Sequence, residues 1–452
     1  MKILIAGNGK LGETLARQLS SEGHDITLMD SDRSVLDTGI NRYDVMAIEG
    51  NCASMDTLRE AGIESADLLV AVTGTDEVNL LCCTTAHWMN PGLHTIARIR
   101  NPEYDEQAFA MRDAFALSMI VNPEKQAAAE IESLIKYPGF LQRDRFAKGR
   151  MEIVELRVES DSKLCNVTLS NLNSIVKCRV LVCAVLRNGE MVAPTGQFQL
   201  RAGDRIFVTA PTDVLSMLLK NLGILTHKAK RVMLVGGGRI SVYLAQALEK
   251  SKIDVQLVEK DADRCRELAE LLPNVNVIHG DASDQSLLDS EMLSSCDALV
   301  SLTGMDELNM IVSLYGNSSD VPQIITKMGR MENNRILDAL PLGSVICPRK
   351  LCCTDIVRYV RAMQKQTGAA LTVHSIADGQ AEAIEFKVDE NTRHCGEPLK
   401  KIKLRSNILL VGINRGAYTE IPNGDSCFYE GDTVVIVSSN PSVILQLNDI
   451  FA

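Results

Sequence analysis

The sequence lacks several features that would settle its class at once. None of its thirteen cysteines stands in a CxxC pair and their number is odd, so neither a disulfide framework nor a zinc site is indicated. No apolar run approaches the ~20 residues needed to span a bilayer; the run Val180–Leu186 has only strand length. Positive charge is not in excess. A formal net charge of −11 and a pI near 5.3 argue against a protein whose main task is to hold nucleic acid. The N-terminal stretch Met1–Ala6 runs into glycine too early for a signal peptide, and the chain reads as soluble and cytosolic. There is no GxxxxGK[ST] loop for nucleotide hydrolysis. The seven histidines (His24, His87, His94, His227, His279, His374 and His394) form no close pair and no motif. The acid/base residue that a dehydrogenase places beside its cofactor is therefore not in evidence. Cys82-Cys83 and Cys352-Cys353 are neighbours on expected helices, where adjacent side chains point in different directions, so they read as core thiols.

What is present is a chain able to bury a core, with 46% hydrophobic and 23% charged residues. Its 452 residues suggest roughly three to four domains. The sequence also repeats itself. Gly7 and Gly236, each opening a glycine turn after an apolar strand, are 229 apart, as are Asp30 and Glu259. Gly50-Asn51 matches Gly280-Asp281 at 230, and Thr73–Asn79 matches Thr303–Asn309 at 230. Pro123 and Pro348 are 225 apart, and Gly203-Asp204 matches Gly431-Asp432 at 228. The chain is two copies of a unit of about 225 residues.

Each copy divides again. Its first part alternates apolar strands (Ile3–Ala6, Asp25–Asp30, Asp44–Glu49, Leu68–Val72) with helical stretches, the pattern of a doubly wound parallel sheet. Its second part, about 151–210 and 382–440, is a small strand-rich domain with turns such as Asn188-Gly189. Between them lies a helix with an apolar face at Ala127, Ala128, Ile131, Leu134 and Ile135, matched by Cys352, Cys353, Ile356, Val357 and Val360. That helix covers its own sheet or docks against a partner domain; periodicity allows both. The fold class is α/β: two tandem Rossmann-like parallel-sheet domains, each followed by a small strand-rich α+β domain. The expected boundaries are 1–122, 123–150 (crossover helix and linker), 151–226, 229–346, 347–370 (the second crossover) and 371–452.

The strongest chemical signal is Gly7-Asn8-Gly9-Lys10-Leu11-Gly12 between the first strand and helix. Gly7 allows the tight turn, Gly9 lets the backbone approach a diphosphate, and Gly12 lets helix and strand pack closely. Phosphates would meet the unpaired N–H groups and positive dipole of the helix start. Asp30, at the end of the next strand, is placed for the adenosine ribose hydroxyls and would repel a ribose phosphate, favouring NAD or NADH over NADP. The second copy reads Gly236-Gly237-Gly238-Arg239-Ile240-Ser241, with Glu259 as the ribose acid. Ser241 replaces the third glycine and is expected to widen the packing slightly without closing the phosphate site. Ligands bind outside the carboxyl ends of such strands, so Thr73, Gly74, Thr303 and Gly304 are expected to face the ligand, with Asn51 and Asp281 nearby. Asp76, Glu77 and Asn79 start the next helix; Asp76 is expected to cap it, and Asn79 is a candidate ligand residue. Arg98, and Lys327 in the same place, are candidates for the phosphates or second ribose.

These features together, Gly7–Gly12 with Asp30, Val72–Asn79, Arg98 and the strand domain ending Gly203–Val208, resemble the TrkA family, whose units are RCK domains. The similarity covers essentially the whole chain. It implies a non-enzymatic, nucleotide-sensing regulatory subunit of potassium uptake. Such a subunit would bind NAD or NADH, or ATP or ADP at the same sites. It would assemble as a homo-oligomer under a membrane potassium-translocating subunit (TrkH-like), peripheral at the inner face of the cell membrane. An NAD-dependent oxidoreductase, or an RCK-type regulator of another ion transporter, would carry the same motifs.

Overall fold

The computed structural model describes the whole chain except residues 41–43, 224–228, 330–339, 364–369, 406, 417, 440–443 and 445. His227, the expected boundary at 226 and part of the second linker lie outside the described residues. The chain divides into two compact units: Met1–Gln126 with Pro348–Tyr359, and Ala127–Cys347 with Val360–Ala452.

In the first unit a six-stranded parallel sheet has strand order 3-2-1-4-5-6. Lys2–Ala6 lies at its centre, between Asp25–Asp30 and Leu68–Ala71. Ile3, Leu4, Ile5 and Ala6 are all buried, because helices cover both faces and leave no face for alternation with polar residues. The order reverses between the first and fourth strands, and the carboxyl ends of that pair form the crevice in which such sheets take ligands.

The helix Pro348–Met363 belongs to the second copy, yet its first twelve residues group with this first sheet. Asp355 Oδ2 accepts from Gln126 Nε2 at 2.5 Å, His94 Nδ1 lies 2.9 Å from the Tyr359 hydroxyl, and Cys353 Sγ donates to Gln18 Oε1 at 3.3 Å. The first copy's helix, Pro123–Lys136, makes the reciprocal arrangement in the second unit. There Gln323 Nε2 donates to the Leu134 carbonyl at 2.9 Å and Ser251 Oγ to Glu132 Oε1 at 3.3 Å. Of the two arrangements the apolar periodicity allows, the helices take the one in which each serves the other copy's sheet.

The second unit contains a parallel sheet of the same 3-2-1-4-5-6 order, centred on Arg231–Val235, and two antiparallel five-stranded sheets. One antiparallel sheet begins earlier than the sequence suggests. Gln142–Phe146, expected as linker, is a strand paired with Met151–Arg157. Its charged run hid it, since Arg143 and Asp144 are buried there through partners. The two sheets share one core in which Phe146, Met151 and Ile153 meet Ile376, Ala383 and Val435. Asp144 and His374, equivalent positions 230 apart, meet across this junction at 2.9 Å. Ala147 N donates to Glu385 Oε1 at 3.0 Å beside them.

Glu130, on the crossover helix, sits among Asp144, Arg143, Arg145 and His374. Burial, with the Asp144 charge behind it, pushes its carboxyl up to about 7. A carboxyl raised on folding contributes stability that is fully present below its unfolded pKa and is lost as pH rises through the folded value. The unit should therefore lose roughly 1–3 kcal/mol from this group between about pH 4.5 and pH 7. Thermal melts across that range should show the slope in the native chain and a flatter one in Glu130→Gln.

Candidate functional site

Each copy builds a cleft from four pieces: a glycine turn, the acid after the second strand, the Thr-Gly turn after the fourth, and a cation after the fifth. Gly7 has φ +100° and its N–H bonds the Met29 carbonyl at 2.7 Å. A Cβ there would lie 2.8 Å from Thr73 Cα, so the two turns can approach only with glycine at this position. A Cβ on Gly12 would lie 2.0 Å from the Gly7 carbonyl oxygen, which is why helix and turn close tightly here. The helix Lys10–Ser21 starts at Gly9 with no side-chain cap, leaving its first N–H groups open. A Cβ on Gly9 or Gly74 would meet nothing within 4 Å, so both face open space. This uncapped, unfilled cradle fits a diphosphate. The Leu11 side chain is buried, so only its backbone can contribute.

Asp30 shapes the cradle from the side. Its Oδ2 accepts from Asn8 N at 2.7 Å and its Oδ1 from Asp32 N at 3.1 Å. Buried Asn8 donates from Nδ2 to the Val35 carbonyl at 2.8 Å, tying turn to helix, while its Oδ1 has no hydrogen-bond partner among the described residues. Asn51, exposed nearby, accepts from Ala53 N at 3.0 Å.

The second copy repeats this plan. Gly236 also has φ +100°, the helix Arg239–Lys250 starts at Gly238 without a side-chain cap, and Gly238 and Gly304 face open space. Glu259 Oε2 accepts from Gly237 N at 2.6 Å and Oε1 from Asp261 N at 2.9 Å. The turn is slightly looser: a Cβ on Gly236 would lie 3.0 Å from Thr303 Cα. Buried Ser241 donates its hydroxyl to the Gly236 carbonyl, so the serine closes onto the turn and stays out of the cleft. Ile240 is buried like Leu11. The cleft is a cavity of about 550 Å³ whose lining includes Gly236–Gly238, Glu259, Lys260, Arg264, Asp281, Thr303, Gly304 and Lys327. That volume suits a nucleotide. Asp281 accepts from Ser283 N at 2.9 Å, and this bond holds its carboxyl below the usual range.

Three expectations change. Asn79 is fully buried: its Oδ1 accepts from Thr73 N at 2.8 Å and Thr73 Oγ1 at 2.7 Å, and its Nδ2 donates to the Arg98 carbonyl at 2.8 Å. It braces the Thr-Gly turn from behind and cannot itself reach a ligand; Asn309 does the same for Thr303 and Lys327. Arg98 donates to the Thr73 carbonyl, and Lys327 Nζ to that of Thr303 at 2.7 Å, so both cations clamp the turns, and Lys327 does so from the lining of the cavity, where it stays a candidate for the phosphates. Burial, with Arg100 nearby, lowers the Arg98 pKa. Asp76 does not cap the helix that Thr75 opens. Its Oδ2 accepts from Arg100 N and Asn101 N, both at 2.8 Å. Asn79→Ala would leave Thr73 N–H and the Arg98 carbonyl unpaired, and is expected to cost about 1–3 kcal/mol of stability in chemical denaturation.

Sequence reasoning missed the Asn8 strap and Arg264, whose Nε donates to the Gly237 carbonyl at 2.9 Å. A side chain in place of the glycine turn's middle residue, and a cation four residues beyond Lys260, were the available signals. The paired cysteines lie in the core: burial pushes Cys83 up to about 12 and Cys82 well above its ordinary value, so both stay thiols. Among the described residues no group of three or more His, Cys, Asp or Glu could hold a metal ion, and no helix is long and apolar enough to cross a membrane.

Comparison with known proteins places this geometry. The TrkA-N domain model matches residues 3–123 and 232–348, and the TrkA-C domain model matches 153–223 and 383–452. The chain is 32% identical over 459 residues to the Trk system potassium uptake protein TrkA of Haemophilus influenzae, covering 100% of this chain and 98% of that one. It is 30% identical over 445 residues to the Trk system potassium uptake protein TrkA homolog 1 of Methanosarcina mazei, covering 97% of each. The structure of the GsuK channel bound to NAD shares the fold, with a TM-score of 0.62 at 15% identity over 97% of this chain and 77% of that one.

Proposed function

The chain belongs to the TrkA family, and on that premise we propose that it is the nucleotide-sensing regulatory subunit of a potassium uptake system. Its relatives are named as Trk potassium uptake proteins. In this reading the chain works at the inner face of the membrane as a homo-oligomer. It gates a TrkH-like potassium-translocating subunit and performs no chemistry of its own. The domains are 1–122 and 229–346 for nucleotide binding, 123–150 and 347–370 as crossovers, and 151–226 and 371–452 for the strand-rich parts.

The ligand is NAD or NADH, with ATP or ADP able to use the same cradle. Gly7, Gly9 and the backbone N–H groups at Lys10–Gly12 would hold the phosphates, Asp30 the ribose, and Thr73-Gly74 the far side. Gly236, Gly238, Arg239, Glu259, Thr303 and Gly304 do so in the second copy. NAD lies in the related channel structure. A bound nucleotide supplies binding energy, and it can shift the assembly only by its difference in affinity between two states.

The observation that carries this reading is the path out of the first cleft. Arg98 clamps the Thr73 carbonyl and lies near the buried Cys352 thiol on the helix donated by the second copy. Arg100, two residues on, pairs with Glu124 at the start of the other crossover helix. A ligand that moves the Thr-Gly turn thus acts on a helix that is not the sheet's own. The test is potassium uptake in a strain lacking this gene and any redundant homologue. Uptake should fall, return with the native gene, and return poorly with Asp30→Ala. Unchanged uptake in the deletion strain would overturn the proposal.

A further inference from the structure

The two clefts share a plan but differ where the adenosine ribose would lie. In the first, Asp30 is followed by Ser31 and Asp32, and Arg33 pairs at 3.5 Å with Glu49 on the neighbouring strand. In the second, Glu259 is followed by Lys260, and Arg264 stands where the first copy has Val35. His279 takes the place of Glu49. Both Lys260 and Arg264 line the cavity. Arg264 is held in place: its Nε donates to the Gly237 carbonyl at 2.9 Å and its Nη1 lies 2.8 Å from Glu267. The acids do not separate the two clefts. Glu259 gives both oxygens to backbone N–H groups as Asp30 does, and Asp261 caps the helix that bears Arg264 through Arg264 N at 2.8 Å. Asp281 faces Lys260 in the lining, so the difference lies in the cations. The middle position of the turn, Gly237, leaves this rim to the cations: a Cβ there would run into Leu268 and Glu259.

A guanidinium and an ammonium beside a ribose are the groups that receive a ribose phosphate. We propose that the second cleft takes an adenine dinucleotide bearing a further phosphate on its adenosine ribose, selected by Lys260 and Arg264, while the first takes the form without it. The inference rests on the reading of both clefts as nucleotide sites. It makes the chain a comparator of two cofactor pools rather than a doubled sensor of one.

The probes are NADH and NADPH, titrated by calorimetry into the full chain carrying Gly9→Glu, whose side chain would fill the open phosphate cradle of the first cleft and leave the second to report. NADPH should bind at least about tenfold more tightly than NADH, the worth of one charge-assisted contact. The preference should collapse in Lys260→Ser with Arg264→Val, the residues of the first copy. Because Arg264 also holds the glycine turn, Lys260→Ser alone is the second variant. It should reduce the preference while NADH binding persists. Equal or tighter binding of NADH by the Gly9→Glu chain, or a preference unmoved by these substitutions, would overturn the inference alone. Failure of the native chain to bind either dinucleotide would overturn the reading of the clefts as well.

Discussion

Arg143→Ala is expected to destabilise the second unit by roughly 3–5 kcal/mol. Arg143 and Glu152 are 3% and 2% exposed, and the guanidinium reaches Glu152 Oε2 through Nη2 at 2.6 Å and Nε at 2.9 Å. Removing the arginine strands a carboxylate in the interior, with Thr212 Oγ1 at 3.4 Å and Arg145 at 3.8 Å its remaining partners among the described residues. The loss extends beyond the pair. Arg143 Nη1 also bonds Ser133 Oγ at 3.0 Å and its guanidinium lies 3.9 Å over the Tyr137 ring, so it pins the end of the crossover helix to the strand-rich domain. Urea denaturation followed by circular dichroism measures the effect. Arg143→Met with Glu152→Leu should recover most of it, because the cost lies in the uncompensated charge and not in the absence of an ion pair. A single substitution costing under about 1 kcal/mol would mean that water reaches Glu152.

Asp30→Ala is expected to weaken NADH binding at the first cleft about 10- to 100-fold, the equivalent of losing a charge-assisted hydrogen bond to the ribose. The substitution acts twice. It removes the ribose acceptor, and it frees the N–H groups of Asn8 and Asp32 that the carboxylate now holds. Asp30→Asn keeps one acceptor oxygen and should fall between alanine and the native chain. Calorimetric titration of the three chains reads the order directly. Equal affinity in all three would put the ligand elsewhere.

The parts of the fold with a local cause could be read from the sequence. The glycine turn, the acid ending the second strand and the Thr-Gly turn each answer to a backbone requirement within a few residues, and the repeat at 229–230 exposed both copies. The destination of the crossover helices could not be read. An apolar face at Ala127, Ile131 and Leu134 looks the same whichever sheet it covers, and the three-dimensional partners, Gln323 for one helix and Gln18 and His94 for the other, decide it. The strand Gln142–Phe146 was hidden because its inward positions carry charges whose partners lie on other elements. Asn79 misled for a related reason. A polar residue next to a ligand turn reads as a contact, yet here it is the brace behind the turn, and burial is what separates the two.

If nucleotide binding at the first cleft is passed on through the Thr-Gly turn and Arg98, the consequence must appear in the helix from the other copy. Amide hydrogen exchange of the full chain, with and without saturating NADH, measures this at Pro348–Tyr359. Slower exchange across that helix in the bound state is the predicted result. Protection confined to the glycine turn and the Thr73-Gly74 segment, with Pro348–Tyr359 unchanged while NADH is bound, would contradict the account.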